Sequence, residues 1–262
     1  GHRILRVTPD GTISTLAERP ELFPGGLAIR RDGRIFIASI NPSTKTGTIV
    51  SLRPDGSDVQ TEVPASAGFL PTDIVFDQKG GYYFTDFRGS ATDPRGGIYY
   101  IPPHSRKPVA VVSGLAMANG VALSPEGREL WATEFGRNAL YRVQLADATH
   151  PTPLGTAIAY YFTGPAPDSM RIDGGGNLYV ALYGQGRILA FGHNGVPIGQ
   201  ILLPERDAGH NLNTTNMAIK PGTHDVYIVA ADDPAHTAGL FHSGVFGRGL
   251  PLNERCSRFL KN

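Results

Sequence analysis

Three side chains that carry oxygen ligands recur at one phase of an internal repeat. Asp73, Asn119 and Asp168 each stand one or two residues before the first apolar residue of a predicted strand. Two carboxylates and an amide oxygen, with no Lys or Arg at those positions, suit calcium, which takes about six to eight oxygen ligands; other divalent cations also fit. Without a cation, two close carboxylates repel each other and one holds a proton. The residue types therefore predict a metal site, the alternative being that they are turn residues bonded to nearby backbone.

The strands that must position these residues are visible as a repeat. Five segments each combine an apolar strand, a Gly-centred turn and a second strand rich in aromatic and β-branched residues. The residues that open their strands are Leu27, Ile74, Val121, Met170 and Met217, at spacings of 47, 47, 49 and 47. Six segments between them, at His2, Gly47, Gly96, Asn138, Gly186 and Gly239, are interpreted as third strands. A repeat of about 40–50 residues with about four short strands is typical of a propeller blade.

We therefore predict an all-β, six-bladed β-propeller that occupies residues 1–262 as one domain. The count of segments is unequal, because six outer segments accompany five inner strand pairs. Ring closure removes exposed sheet edges. We accordingly expect that the inner strands of the first blade are missing from this chain, and that about 25–45 residues upstream of Gly1 supply them.

Equivalent residues of successive blades converge at one end of a propeller channel, because the innermost strand of each blade lines it. We expect Asp73, Asn119 and Asp168 to meet there. Four further residues are predicted to line the site: Thr72, Ser169, Asn216 and Asp233. Three other aspartates at the turns between inner strands are interpreted as structural: Asp32, Asp77 and Asp173. A structural role is also predicted for His210, although it could cover the channel mouth.

Composition excludes several classes of function. The formal net charge of +1, without a basic stripe, argues against nucleic acid as a partner. No apolar run approaches the roughly 20 residues that span a bilayer, and no signal peptide is recognisable. We expect a cytoplasmic protein, with secretion left open because of the N-terminus; the oligomeric state is also open. The single cysteine, Cys256, excludes an intramolecular disulfide and a cysteine-built zinc site. Neither HExxH nor GxSxG occurs.

Longer motifs surround the candidate residues. They are LPTDIVFDQKGGYYFTDFRG from Leu70, MANGVALSPEGRELWATE from Met117, GPAPDSMRIDGGGNLYVALYGQGRI from Gly164 and IGQILLPERDAGH from Ile198. Together they resemble the gluconolactonase family, which also contains the senescence marker protein and the luciferin-regenerating enzyme. The similarity is closest to the drug-responsive lactonase branch and extends over essentially the whole chain.

The resemblance implies a calcium-dependent lactonase acting on a small-molecule lactone. Carried over by motif, three metal ligands fall on Asp73, Asn119 and Asp168, and the proton-transfer role falls on Asp168. The family's fourth ligand, a Glu on the first inner strand, has no counterpart and is expected upstream of Gly1. The branch also carries a second, structural calcium; Pro64 stands where its acidic ligand is expected, so a second site is left undecided.

Two other functions remain open at this point. A phosphotriester hydrolase similar to diisopropylfluorophosphatase would use nearly the same metal site. A non-enzymatic propeller that binds a protein or ligand on one face, as NHL-type repeats do, would need no converging oxygen ligands.

Overall fold

The computed structural model describes residues 2–233 and 235–250; Cys256 lies outside them. The described residues contain 21 β-strands and three single-turn 3-10 helices. An N-terminal hairpin comprises β1 (Arg3–Val7) and β2 (Ile13–Glu18). The next two sheets comprise β3 (Pro24–Ile29), β4 (Ile35–Asn41), β5 (Thr46–Leu52) and β6 (Gln60–Val63), then β7 (Pro71–Phe76), β8 (Tyr82–Asp86), β9 (Gly96–Ile101) and β10 (Val109–Leu115).

The remaining three sheets follow the same order. They comprise β11 (Ala118–Leu123), β12 (Glu129–Glu134), β13 (Ala139–Leu145) and β14 (Pro151–Tyr161), then β15 (Pro167–Ile172), β16 (Leu178–Leu182), β17 (Arg187–Phe191) and β18 (Pro197–Leu202), and finally β19 (Asn213–Ile219), β20 (Asp225–Asp232) and β21 (Thr237–Gly244). The 3-10 helices are Ala65–Ala67, Phe135–Arg137 and Arg206–Ala208.

The all-β propeller is confirmed, but the prediction of six blades is wrong. The described residues form five blades, four of which have four antiparallel strands and one of which has three. The β1–β2 hairpin is a separate two-stranded sheet. It corresponds to the outer strands of a blade, for which the described residues contain no inner pair, as predicted. The hairpin packs through Ile4 and Ala17 onto Ile37 and Val50 of the first blade.

Register confirms that the five inner strands are equivalent. Leu27 pairs with Ile37 and Ile74 pairs with Phe84, each at the same distance from the turn that joins the two strands. The same pairing occurs in the other three blades, as Val121 with Ala132, Met170 with Val180 and Met217 with Ile228. The repeat deduced from spacing is therefore a repeat of hydrogen-bond register.

The hydrophobic core lies between successive sheets, which pack face to face. Trp131 of β12 and Met170 of β15 belong to one such interface, where both are fully buried. Tyr179 and Ile228 occupy the next interface. Burying a side chain of this size stabilises the fold by roughly 1.5–3 kcal/mol, and repetition of the interface holds the inner strands around one axis. Among the described residues, no helix is long and apolar enough to cross a membrane.

Candidate metal centre

Each inner strand departs from regular pairing immediately before its opening residue. The register shifts between Pro71 and Ile74 in β7, between Ala118 and Val121 in β11, and between Pro167 and Met170 in β15. Irregularities of this type bend a strand and re-aim a side chain, and they are common beside active sites. The residues inside these three shifts include Asp73, Asn119 and Asp168. Backbone pairing is therefore irregular at the positions of the three candidate ligands.

Asp168 is the centre of a polar cluster. Its Oδ1 accepts the Ser169 N–H at 2.8 Å, and the Asn119 side chain also hydrogen-bonds to its carboxylate. Burial first and the nearby Asp73 charge second raise the pKa of Asp168, the two hydrogen bonds oppose the rise, and the net value is about 7. These interactions place Asp73 and Asn119 beside Asp168. That the three residues bind a metal stays a prediction.

Asp73 is fully buried and engaged on both oxygens. Arg171 Nη1 lies 2.8 Å from its Oδ2 and 3.1 Å from its Oδ1. Backbone N–H groups of Ile74 and Val121 also reach the carboxylate, at 3.0 and 3.4 Å. Sequence reasoning missed Arg171, because it lies three residues after Asp168 and was not at the phase of the ligands. Its sequence signal is a positive charge directly after Met170, at a position that is uncharged in the other four repeats.

Two buried threonines tie the candidate ligand segments together. Thr85 Oγ1 accepts the Asp73 N–H at 3.1 Å and donates to the Asn119 carbonyl of the next blade. Thr133 Oγ1 accepts the Gly120 N–H at 2.6 Å and donates to the Asp168 carbonyl at 2.8 Å. Each hydroxyl satisfies an N–H that the irregular strand leaves unpaired. The spacing between successive blades at the site is therefore set by two threonine hydroxyls.

Two glycines leave room for the next blade to approach. A Cβ on Gly120 would lie 2.6 Å from the Asp168 carbonyl oxygen and 2.9 Å from the Ser169 Cα. A Cβ on Gly26 would lie 2.3 Å from the Thr72 carbonyl oxygen and 2.9 Å from the Asp73 Cα. Both clashes involve backbone, which cannot rotate away. Glycine at these positions is thus required by the close packing of the ligand-bearing segments.

The predicted lining residues lie in different surroundings. Ser169 is buried directly beside Asp168, and half-buried Thr72 bonds through its hydroxyl to the Asn119 carbonyl at 3.2 Å. Asn216 Oδ1 accepts the N–H of Met217 at 2.8 Å, in the manner of Asp73 with Ile74. Asp233 is exposed and accepts a hydrogen bond from Asn213. Thr72 and Ser169 therefore contact the cluster, whereas among the described residues no hydrogen bond or ion pair joins Asn216 or Asp233 to Asp73, Asn119 or Asp168.

The other polar candidates have local roles. Asp77 and Asp173 each accept backbone N–H groups of their own turn and a tyrosine hydroxyl from the same sheet, as a structural role requires. Asp32 accepts the Arg34 N–H. His210, which precedes β19, pairs with Asp232 at the end of β20, with 2.9 Å between His210 Nδ1 and Asp232 Oδ2.

The donor set at the cluster fits a hard cation. Within residues 2–233 and 235–250, no group of three or more His, Cys, Asp or Glu side chains is arranged to hold a metal. The cluster is of another kind, since it combines two carboxylates with an amide. Burial, and after it the Asp73 charge, raises the pKa of Asp168, and a bound cation would stabilise the ionised carboxylate against both effects. Arg171 already places a positive charge beside one of the two carboxylates, that of Asp73.

Comparisons with known proteins agree with the sequence motifs. The chain is 44% identical to Lactonase drp35 of Staphylococcus saprophyticus over 92% of its own length and 76% of that protein. It is also 44% identical to Lactonase drp35 of Staphylococcus aureus, over 80% of its own length, and it spans only 65% of that relative. The fold resembles a structure described as a calcium-binding protein, regucalcin, from Agrobacterium tumefaciens, with a TM-score of 0.75 and 20% identity over 95% of this chain and 85% of that one. Residues 1–232 match the SMP-30/Gluconolactonase/LRE-like region, and the chain belongs to that family.

Proposed function

We propose that this protein is a metal-dependent hydrolase that opens small-molecule lactones at the end of the propeller channel, with calcium as its cofactor. The observation that carries the proposal is the cluster of Asp73, Asn119 and Asp168, in which one carboxyl has a pKa near neutrality. Lactonase relatives at 44% identity support the same reaction class.

Asp73, Asn119 and Asp168 are the residues that would hold the cation. When bound, a divalent cation supplies a Lewis acid that polarises a carbonyl and stabilises negative charge on its oxygen. Carboxylate and amide oxygens are the ligands that calcium prefers.

Asp168 is the residue that moves a proton. General acid–base catalysis needs a group held within reach of the proton that it moves. The pKa of Asp168 is about 7 in the metal-free protein and falls when a cation binds its carboxylate, so the assignment rests on the position of this carboxylate at the site. The Ser169 N–H holds Oδ1, so the carboxylate keeps one orientation. It takes a proton from the water that bonds to the lactone carbonyl carbon, and it returns the proton to the ring oxygen as the bond between that carbon and the ring oxygen breaks. Thr133 holds the backbone carbonyl of the same residue. Proton transfer thus takes place from a carboxylate with a fixed position.

A row of aromatic rings lies on the same side of the propeller. Phe87, Phe135 and Tyr183 directly follow the second strands of three successive blades, whose ends pair with the beginnings of β7, β11 and β15. The rings of Phe87 and Phe135 are 5.3 Å apart between centroids, and those of Phe135 and Tyr183 are 6.1 Å apart. We infer that these rings form an apolar wall for the carbon skeleton of the lactone.

The direct test is a substrate panel measured with and without metal. Purified protein is stripped with a chelator, reloaded with calcium, and assayed on aliphatic and aromatic lactones beside a phosphotriester. The proposal expects lactone hydrolysis that is lost with the chelator, restored by calcium and absent in Asp168→Asn. Phosphotriester hydrolysis without lactone hydrolysis would reassign the substrate class. No hydrolysis of either class by calcium-loaded protein would favour a binding function.

A further inference from the structure

Arg171 is a charged residue at the centre that the proposed reaction does not use. It lies on the inner strand β15, and its guanidinium contacts Asp73 on β7 with the inner strand β11 between them. The side chain therefore reaches across two blade positions to a carboxylate 98 residues away in the sequence. The Arg171 side chain is 22% exposed, whereas that of Asp73 is fully buried.

The propeller itself does not need an arginine here. The residue that follows the opening residue of the inner strand is uncharged in the other four repeats: Ala28, Val75, Ala122 and Ala218. Those four strands adopt the same register without a charge. The positive charge in the fourth blade is thus tied to its partner, Asp73, and not to the architecture.

The contacts of Asp73 show what the arginine does. Both carboxylate oxygens lie within 3.1 Å of Arg171 Nη1, and each also faces one backbone N–H. A fully buried carboxylate without a counter-charge is costly, so the guanidinium supplies that counter-charge and holds the Asp73 carboxylate in one orientation. The same guanidinium covers the oxygens that a bound cation would use. Arg171 therefore compensates the charge of Asp73 and also competes with a cation for the same two oxygens.

We propose that Arg171 is a built-in counter-cation of the centre, which calcium must displace from Asp73 in order to bind. This inference rests on the proposed function, since it assigns the metal to the same carboxylate. Arg171 acts through Asp73 and is a positioning residue. It keeps the metal-free centre folded and lowers the affinity for calcium, so that the centre loads only above a threshold calcium concentration.

The test compares Arg171→Met, which keeps side-chain length without charge, with Arg171→Lys, which keeps the charge without the planar fork. Calcium dissociation constants are measured by titration calorimetry, and melting temperatures are measured with chelator and with saturating calcium. We expect the Met variant to bind calcium about tenfold more tightly or better, because removing a competing charge favours the cation. It should melt lower than wild type in chelator and show the larger calcium-induced rise. The Lys variant should bind calcium within about threefold of wild type.

Every outcome of this comparison either supports or overturns the proposed role of Arg171. Folding of the Met variant only in the presence of calcium would support the proposal, because calcium would then be replacing the missing charge. Equal or weaker calcium binding by the Met variant would overturn it, and so would a calcium-induced rise no larger than that of wild type.

Lactone hydrolysis by the wild-type protein, measured on the same preparation, separates this inference from the proposed function. Calcium-dependent hydrolysis with unchanged calcium affinity in the Met variant refutes only the role of Arg171. Wild-type protein that neither binds calcium nor opens lactones refutes both.

Discussion

Replacing Asp168 by Asn should stabilise the metal-free protein at high pH while abolishing its catalysis. The pKa of Asp168 is raised in the folded state from 3.8 to about 7. Below the lower value the carboxyl is protonated in both states, and folding carries no penalty. As the pH rises through this window, the unfolded chain ionises first, so the folded state loses stability until the pH exceeds about 7. An asparagine keeps the shape and has no charge to bury.

The size of the effect follows from the width of that window. A difference of about three pH units corresponds to a ceiling of about 4 kcal/mol. The side chain of Asp168 is only half-buried, and solvent screening reduces that ceiling. We therefore expect Asp168→Asn to gain about 1–2 kcal/mol at pH 8, or a few degrees in melting temperature, and about 0 kcal/mol at pH 4.

The assay is thermal and urea-induced unfolding of both proteins in chelator, from pH 4 to pH 8.5, beside lactone hydrolysis with calcium. Asp93→Asn, an exposed aspartate paired with Arg95, is the matched control and should show no pH-dependent gain. An Asp168→Asn protein that is less stable than wild type at pH 8 would refute the reasoning. A gain in stability of the same size at pH 4 would also refute it, because ionisation of Asp168 could not be its cause.

Four further outcomes are expected. Thr133→Val should lose about 1–3 kcal/mol and most activity, because the Gly120 N–H and the Asp168 carbonyl lose their shared partner; Thr61→Val on an exposed strand is the control. Gly120→Ala should lower both the melting temperature and the calcium affinity, because its Cβ would meet backbone at 2.6 Å. Phe135→Ala should raise KM for aromatic lactones more than it lowers kcat. Calcium should raise the melting temperature more at pH 8 than at pH 5, because a protonated Asp168 is a poor ligand.

Each of these four predictions has a result that would contradict it. Full activity in Thr133→Val would show that the threonine bond does not position the site. Wild-type calcium affinity in Gly120→Ala would show that the blade can retreat without moving Asp168. A fall in kcat at unchanged KM for Phe135→Ala would remove the ring from the binding surface. A calcium-induced rise that is equal at both pH values would remove Asp168 from the metal.

The local sequence determined the strands and their phase. Leu27, Ile74 and Met170 occupy equivalent positions of their strands, three residues after the first residue and not at it as predicted. Alternating and β-branched residues favour extended backbone there, and Gly-centred turns end it. A constant repeat then places residues of equal phase at equal heights around an axis. For this reason Asp73, Asn119 and Asp168 could be grouped from spacing alone, although they lie 95 residues apart between the first and the last.

Tertiary structure alone decided the chemistry of the cluster. The salt bridge of Arg171 to Asp73 and the threonine bond from Thr133 to Asp168 join residues of different blades. No local pattern encodes such contacts, because they depend on how closely neighbouring blades approach. The pKa of Asp168 is likewise a property of that approach, since it arises from burial and from a second carboxylate brought in by another strand.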